Sequence, residues 1–400
     1  PSPPNTGNKQ PMADKIIVLN LGTTSFKCKL FDFARGERAI ASCAVERVGA
    51  AAPSPWQFKA SDARQDGLAP CRDHAAAFHL CIGLLQDHGL IRSLDDLDGA
   101  GFKTVHGGPI SGAVPVDDAV LAVLDEYAAF APAHNPMYAA LMRQLRAKHP
   151  ALSQVACFET AFHAGMPAYR ATYGVPYAWM TKYGVRRYGF HGASHSYIAA
   201  KLRDLAPDAR RVISLHLGGS SSLCAIKDGK SIATSMGATP QSGLFQNNRV
   251  GDFDLFCLPR LVAGEGSLDR VMDILASEGG FLGLSGVSND LRDVLQAADA
   301  GNNQAALAFA AFVDNCIGYI GMFTAYLQGI DAVVFTGGIG LNCAPLREKI
   351  CQHLDYLGVA IDPKLTTGKI STTDSKIAVW CLETDEELMV ARQTHNVLGN

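Results

Sequence analysis

The feature that most constrains the fold of this chain is a short phrase that occurs twice. LNLGTTS occupies residues 19–25, and LHLGGSS occupies residues 215–221. In both copies a β-rich run ends in glycine, hydroxyl residues follow, and a second β-rich run begins. Glycine lets the backbone approach an oxyanion closely, and hydroxyl groups add hydrogen-bond donors. The repetition predicts an internal duplication of two α/β halves, each with a tight phosphate-binding turn near its start.

Either phrase alone is typical of an ordinary hairpin turn. Two copies in matching positions, with Lys27 close to the first, favour phosphate binding. Residues 15–48 predict an antiparallel meander, and residues 210–235 predict a second one with a hairpin turn at Asp228-Gly229. FTGGIGLN, residues 335–342, predicts a buried strand that runs into a third glycine loop, where α/β folds commonly bind nucleotides.

Length and composition predict two domains. A chain of 400 residues with 48% hydrophobic content exceeds what one core usually organises. We predict a disordered leader over residues 1–13, an N-terminal α/β domain over 14–163 that helix 388–400 joins, and a C-terminal α/β nucleotide-binding domain over 164–387. Three glycine turns around an interdomain cleft are typical of duplicated ribonuclease H-like domains, the architecture of the actin- and hexokinase-type ATPases.

Charge and hydropathy disfavour several classes of partner. The net charge is -3, and no basic run could follow a nucleic acid or an anionic membrane surface. The apolar region 305–329 is interrupted by Asp314 and Gly318, which predicts a core helix. The eleven cysteines are scattered without a C-x-x-C pair, a pattern typical of reduced thiols in a cytoplasmic protein.

Five segments place histidine, arginine and carboxylate side chains beside glycine, proline and aromatic residues. They are VHGGP (105–109), AHNP (133–136), CFETAFH (157–163), RRYGFHGASH (186–195) and NRVGDFD (248–254). A single core histidine is usually a hydrogen-bonded structural residue. Together with Arg249 and Glu159, however, these histidines predict an anion site suited to phosphoryl transfer.

These motifs resemble those of the acetate kinase family, which includes propionate and butyrate kinases. N-x-G-[ST]-[ST]-S-x-K matches residues 20–27, and RRYGFHGxSH matches residues 186–195 without a change. HNP, F-[DE]-T-A-F-H, T-P-x-x-G, SNDLRD and GGIG follow in the family's order, and ETDEEL resembles its T-N-E-E. The resemblance extends from Lys15 to the C-terminus.

The resemblance implies reversible phosphoryl transfer between ATP and a short-chain carboxylate, with acyl phosphate and ADP as products, in a cytoplasmic homodimer. It implies Asn20 and Glu386 as ligands of Mg²⁺ or Mn²⁺. The implied catalytic residues are Glu159, His191, Arg249 and His134, and the implied acceptor-binding residues are Lys103, Val105, Ala133, Phe190 and Pro240. The implied ATP-binding residues are Lys27, His216, Gly218, Gly219, Ser220, Asp290, Leu291, Arg292, Gly337, Gly338, Ile339, Gly340 and Leu341.

The sequence departs from the family pattern near the predicted site. Lys103 replaces an arginine, Glu159 replaces an aspartate, and Gly219 replaces the asparagine of H-L-G-N-G, whose side chain would touch phosphate. The family's M-G-T-R becomes Gln246-Asn-Asn-Arg249, and its G-E-N becomes Gly340-Leu-Asn342. These changes predict altered substrate preference or a weak paralogue. Because Asn20, Lys27, His191, Arg249 and Glu386 remain, we rank kinase activity above its loss.

Ala133 replaces a leucine of the family's acceptor pocket, which predicts room for a longer acid such as propionate or butyrate. Two alternatives stay open: a pyrophosphate-dependent kinase, and a non-catalytic sensor of nucleotide or acyl phosphate. A sugar kinase or a polyphosphate phosphatase would share the fold but not the HGG, HNP and RRYGFHG motifs.

Overall fold

The computed structural model describes residues 14–399, so the predicted leader lies outside the described residues. It contains two compact units. Unit 1 comprises the described residues up to Ala161 together with those from Asp385 onward, and unit 2 comprises Phe162–Thr384.

Each unit is built on one mixed β-sheet. The strands are β1 Lys15–Gly22, β2 Ser25–Asp32, β3 Ala39–Glu46, β4 Ser54–Ala60, β5 Arg64–Ala69, β6 Gly99–Thr104, β7 Ala113–Pro115, β8 Gln154–Phe158, β9 Arg211–His216, β10 Ser222–Lys227, β11 Lys230–Thr234, β12 Ala332–Thr336, β13 Gly368–Lys369 and β14 Ala378–Cys381. The sheet of unit 1 has the order β5-β4-β3-β2-β1-β6-β8-β7, and that of unit 2 has the order β11-β10-β9-β12-β14-β13.

The helices pack on these sheets. They are α1 His74–Asp87, α2 Asp118–Glu126, α3 Asn135–Lys148, α4 Ala168–Ala171, α5 Tyr177–Tyr183, α6 Gly192–Leu205, α7 Leu258–Glu265, α8 Leu268–Ser277, α9 Gly280–Ser285, α10 Leu291–Asp299, α11 Asn303–Leu327, α12 Gly337–Asn342, α13 Ala344–Gln352 and α14 Glu386–Leu398. Helices α1 and α14 both pack against the sheet of unit 1. Ile16, Ile17, Val18 and Leu19 of β1 are all fully buried, as expected for a strand covered on both faces.

The two sheets share one topology, which confirms the predicted duplicated α/β fold. In unit 1, β3, β2 and β1 are antiparallel neighbours, and β6 and β8 continue the sheet in parallel. In unit 2, β11, β10, β9, β12 and β14 repeat this arrangement. The repeated phrases therefore occupy equivalent places, at the ends of β1 and β9.

Some local predictions hold and others need correction. Asp228 and Gly229 have φ angles of 51° and 76°, the geometry of a type I′ hairpin turn, as predicted. The second phrase is wider than the predicted tight turn, because His216 and Ser222 are register partners and residues 217–221 form the loop between them. The GGIG segment begins the short helix α12 rather than a loop. The β4–β5 hairpin was not predicted.

Helix α11 is long and apolar enough to cross a membrane by length and composition alone. Ala308, Phe312, Cys316, Ile320 and Phe323 nevertheless lie fully buried in the core of unit 2. This burial agrees with the predicted core helix.

Candidate functional site

In unit 1 a half-buried lysine lies between two carboxylates from distant parts of the chain. Lys103 Nζ is 3.3 Å from Glu159 Oε1 and 2.8 Å from Glu386 Oε2. Strands β6 and β8 run in parallel, with Lys103 opposite Cys157, so Glu159 lies just beyond the end of β8. Burial disfavours the ammonium, but Glu159 and Glu386 raise the pKa of Lys103 well above its ordinary value. The group therefore stays charged at neutral pH.

The two predicted metal ligands also lie in unit 1. Asn20 lies on β1 and Glu386 begins α14. The Asn20 amide donates from Nδ2 to Glu387 Oε1 at 3.0 Å, and Glu387 also pairs with Lys29. In residues 14–399 no group of three or more His, Cys, Asp or Glu side chains could hold a metal ion. Mg²⁺ accepts one or two protein oxygens and keeps water or substrate oxygens, so amide and carboxylate donors suit it.

The other predicted residues of unit 1 lie on β2, in the loop after β6 and in the loop before α3. Lys27 is exposed on β2 and pairs in register with Asn20. His134 directly precedes α3, whose first residue, Asn135, is fully buried and donates from Nδ2 to the His106 carbonyl at 2.9 Å. Ala133 is exposed and Val105 is half-buried.

In unit 2 the two glycine segments are joined by hydrogen bonds through Leu217. Its N–H donates to the Thr336 carbonyl at 2.9 Å, and its carbonyl accepts from Ile339 N at 2.8 Å and Gly340 N at 3.0 Å. Gly337 has a φ of +78°, and a Cβ there would lie 2.5 Å from the Leu217 oxygen. Only glycine fits this close approach.

The joined segments line a cavity of about 500 Å³, a size within the range of small-molecule sites. The cavity brings together predicted residues from three places in the sequence: Gly218 and Gly219, Asp290 to Arg292, and Gly338 with Ile339. Asp290 is the N-cap of α10 and pairs with Arg292 at 2.5 Å. The hydrogen bond from Arg292 lowers the pKa of Asp290 to about 2.

A chain of histidines and serines lies beside the same loop. Ser222 Oγ is 2.8 Å from His191 Nδ1 and 2.9 Å from His195 Nε2. His195 Nδ1 is 3.0 Å from Ser214 Oγ, and Ser194 Oγ is 2.8 Å from His216 Nδ1. The rings of His191 and His216 stack with their centroids 4.2 Å apart. These contacts fix the orientation of both predicted imidazoles.

Arg249 brings a cation to this loop. Its Nη1 donates to Ser220 Oγ at 3.3 Å and to Gln246 Oε1 at 3.2 Å. Burial lowers the pKa of Arg249 from its ordinary value. The remaining residues of unit 2 that the sequence predicts for acceptor binding are Phe190, which is buried, and Pro240, whose carbonyl accepts from Gln246 Nε2 at 2.8 Å.

Three residues with contacts at these places were not predicted: Glu387, Ser222 and Asn247. Glu387 holds Asn20, Ser222 links two histidines, and Asn247 lines the cavity. The doubled glutamate of ETDEEL and the asparagines beside Arg249 were visible in the sequence. Only the structure shows which of them point to the site.

Comparison with known proteins assigns a family to this arrangement. The sequence model of the Acetokinase family matches residues 15–392. The chain belongs to the acetokinase family. It is 40% identical over 394 residues to a propionate kinase of Citrobacter rodentium, covering 96% of this chain and 97% of that protein.

Solved acetokinase structures agree with this assignment. A propionate kinase from Francisella tularensis has a TM-score of 0.88 at 32% identity, covering 95% of this chain and 98% of that one. The acetate kinase of Porphyromonas gingivalis has a TM-score of 0.86 at 34% identity, covering 96% of this chain and 100% of that one. The resemblance to this family is thereby confirmed.

We predict that the stability of this protein depends on pH because of a buried histidine. His163 Nδ1 is 2.8 Å from Ser231 Oγ, its Nε2 is 2.9 Å from the Phe190 carbonyl, and burial lowers its pKa to about 4. Because the unfolded chain binds this proton at a higher pH, the free energy of unfolding should fall as the pH drops from about 6.5 to about 4. The expected loss is on the order of 3 kcal/mol.

Urea denaturation of the wild type and of His163→Gln between pH 7 and pH 4 measures this effect. The difference in unfolding free energy between the two proteins should shrink as the pH falls. A difference that stays constant over this range would contradict the assignment of a neutral, buried His163.

Proposed function

We propose that this chain transfers the γ-phosphoryl group of ATP to the carboxylate of a short-chain acid, and that it catalyses the reverse reaction. As a member of the acetokinase family, the chain is a kinase whose phosphoryl acceptor is a carboxyl group. The donor, the metal and the preferred acid are the proposed parts. The homodimer and the cytoplasmic location stay predictions.

One observation supports the proposal most strongly. The loop of residues 217–221 borders the nucleotide-sized cavity on one side, and it contacts Arg249 and adjoins His216 on the other. A phosphate chain lying along this loop would thus have a nucleoside site at one end and a guanidinium with two imidazoles at the other. This arrangement suits stabilisation of a transferring phosphoryl group.

The acceptor chemistry agrees with the residues present. A carboxylate is already ionised, so it attacks phosphorus without a general base, and the main obstacle is the repulsion between two anions. Arg249 and the stacked His191 and His216 would stabilise the charge on the transferring group. In unit 1, Lys103 shares its ammonium with two carboxylates, and we assign its third N–H to the acceptor carboxylate.

We assign Mg²⁺ to Asn20 and Glu386, whose hard oxygen atoms suit this ion. When bound, the ion would neutralise charge on the phosphates of the nucleotide. Glu387 would act as a positioning residue, because its carboxylate accepts the Asn20 N–H and so orients the amide.

A donor-by-acceptor profile tests the proposed function. Hydroxamate trapping would measure acyl phosphate formed from ATP, GTP or pyrophosphate with acids of two to five carbons. We expect turnover with ATP, and we expect Ala133→Leu to raise the KM of butyrate more than that of acetate. Each methylene that no longer fits is worth about 0.8 kcal/mol, or roughly fourfold.

Ala140→Leu is the matched control, since Ala140 is exposed on α3 and carries no assigned role. A steep preference of the wild type for acetate, unchanged in Ala133→Leu, would contradict the assigned role of Ala133. Turnover with pyrophosphate but not with ATP would contradict the proposed function itself. The absence of turnover with all three donors would contradict it as well.

The ion pair of Lys103 and Glu159 predicts a second result. The lysine is shorter than the family's arginine and the glutamate is longer than its aspartate, so the two changes compensate across a 3.3 Å contact. Lys103→Arg and Glu159→Asp should each lower kcat/KM, by about 10- to 100-fold, because a shift of about 1 Å has this effect. The double variant should recover to within a few-fold of the wild type.

Steady-state kinetics of the four proteins give the coupling between the two positions. Losses that simply add in the double variant would show that the changes at 103 and 159 are independent.

A further inference from the structure

Asn247 places a side-chain amide at the cavity of unit 2 that no predicted role explains. Its backbone N–H donates to the Gly219 carbonyl at 3.4 Å. Asn247 lines the same cavity as Gly218, Gly219 and Gly338, and its Nδ2 lies 3.6 Å from the Cβ position of Gly219. The amide therefore lies over the glycine loop to which we assign the phosphates of the nucleotide.

The oxygen of this amide, Oδ1, is buried and has no hydrogen-bond partner in the part of the protein that the structure describes. Buried polar atoms nearly always have a partner, and leaving one without a partner costs stability. A phosphate oxygen cannot donate to Oδ1, so this atom is not the ligand contact. The amide nitrogen, which lies 3.6 Å from the Cβ position of Gly219, is the end of the side chain that can donate to an anion on the loop.

Gly219 leaves room for this amide. A Cβ built on Gly219 would lie 3.6 Å from Asn247 Nδ2, an ordinary contact, and it would approach no other atom within 4 Å. Gly219 does not have a positive φ, so its backbone conformation does not require glycine. A larger polar side chain at position 219 would instead compete with Asn247 for the same space.

The two positions therefore exchange residue types relative to the family pattern. The pattern H-L-G-N-G has asparagine where this chain has Gly219, and M-G-T-R has glycine where this chain has Asn247. Relative to the family pattern, the chain lacks a carboxamide at position 219 and has an additional one at position 247. The Cβ position of Gly219 is 3.6 Å from Asn247 Nδ2, so the two positions are neighbours. Gly219 thus does not mark a simple loss of a phosphate contact.

We propose that Asn247 binds the phosphoryl donor, with its Nδ2 donating to a phosphate oxygen of a nucleoside di- or triphosphate on the 217–221 loop. This inference rests on the proposed function, because it takes ATP and ADP as the ligands of the cavity. It makes Asn247 a specificity residue for the phosphates rather than for the nucleoside.

Calorimetric titration tests the proposal independently of turnover. Wild type, Asn247→Gly, Gly219→Asn and the double variant would each be titrated with MgADP and with adenosine. Asn247→Gly should weaken MgADP by about tenfold, the value of a hydrogen bond to a charged group, and leave adenosine unchanged. A purely structural role would weaken both ligands together.

The exchange of residue types also predicts how tightly the other two variants bind MgADP. Gly219→Asn alone should also weaken MgADP, because two amides then compete for one space. The double variant should recover to within about threefold of the wild type, a coupling well above additivity. Asn248→Gly is the control for the loss of an asparagine in this segment, and it should bind MgADP like the wild type.

Two results would overturn this proposal alone. One is unchanged MgADP affinity in Asn247→Gly, with the wild type binding normally, which would leave the proposed function intact. The other is additive losses in the double variant. A wild type that binds neither MgADP nor MgATP would overturn the proposed ATP donor together with this inference.

Discussion

The candidate site of unit 2 depends on one set of backbone hydrogen bonds, which join Leu217 to the end of β12 and to the GGIG residues of α12. The Leu217 carbonyl accepts two N–H groups at the start of α12, and its own N–H donates to the end of β12. This contact is possible because Gly337 has no Cβ to meet the Leu217 oxygen. It fixes the 217–221 loop against α12, and thereby places the cavity, Arg249 and the histidine chain around one short segment.

Four of the departures from the family pattern form two pairs of neighbouring residues. Lys103 and Glu159 contact each other, and Gly219 lies beside Asn247. In each pair one residue has become smaller or shorter while its neighbour has become larger. Compensation of this kind would preserve the distance or the functional group that the proposed site needs, and it would favour an active kinase over a degenerate one.

The sequence predicted the duplication, the position of both phrases and the Asp228-Gly229 turn, because glycine placement and strand periodicity are local signals. It also identified the segments that gather at the cavity. It did not predict the width of the second turn, the helix at GGIG or the pairing of Asn247 with Gly219. These features depend on contacts between residues far apart in the chain, such as Leu217 with Ile339, which no local pattern encodes.

The most direct test of this account follows an oxygen atom from the acid to the phosphate. The protein would be incubated with MgATP and with propionate labelled with ¹⁸O in both carboxylate oxygens, and the products would be measured by ³¹P NMR. Direct phosphoryl transfer predicts an acyl phosphate with one ¹⁸O bonded to phosphorus and an equal amount of ADP. Inorganic phosphate without label, as hydrolysis of ATP by water would give, or the absence of ADP, would contradict it.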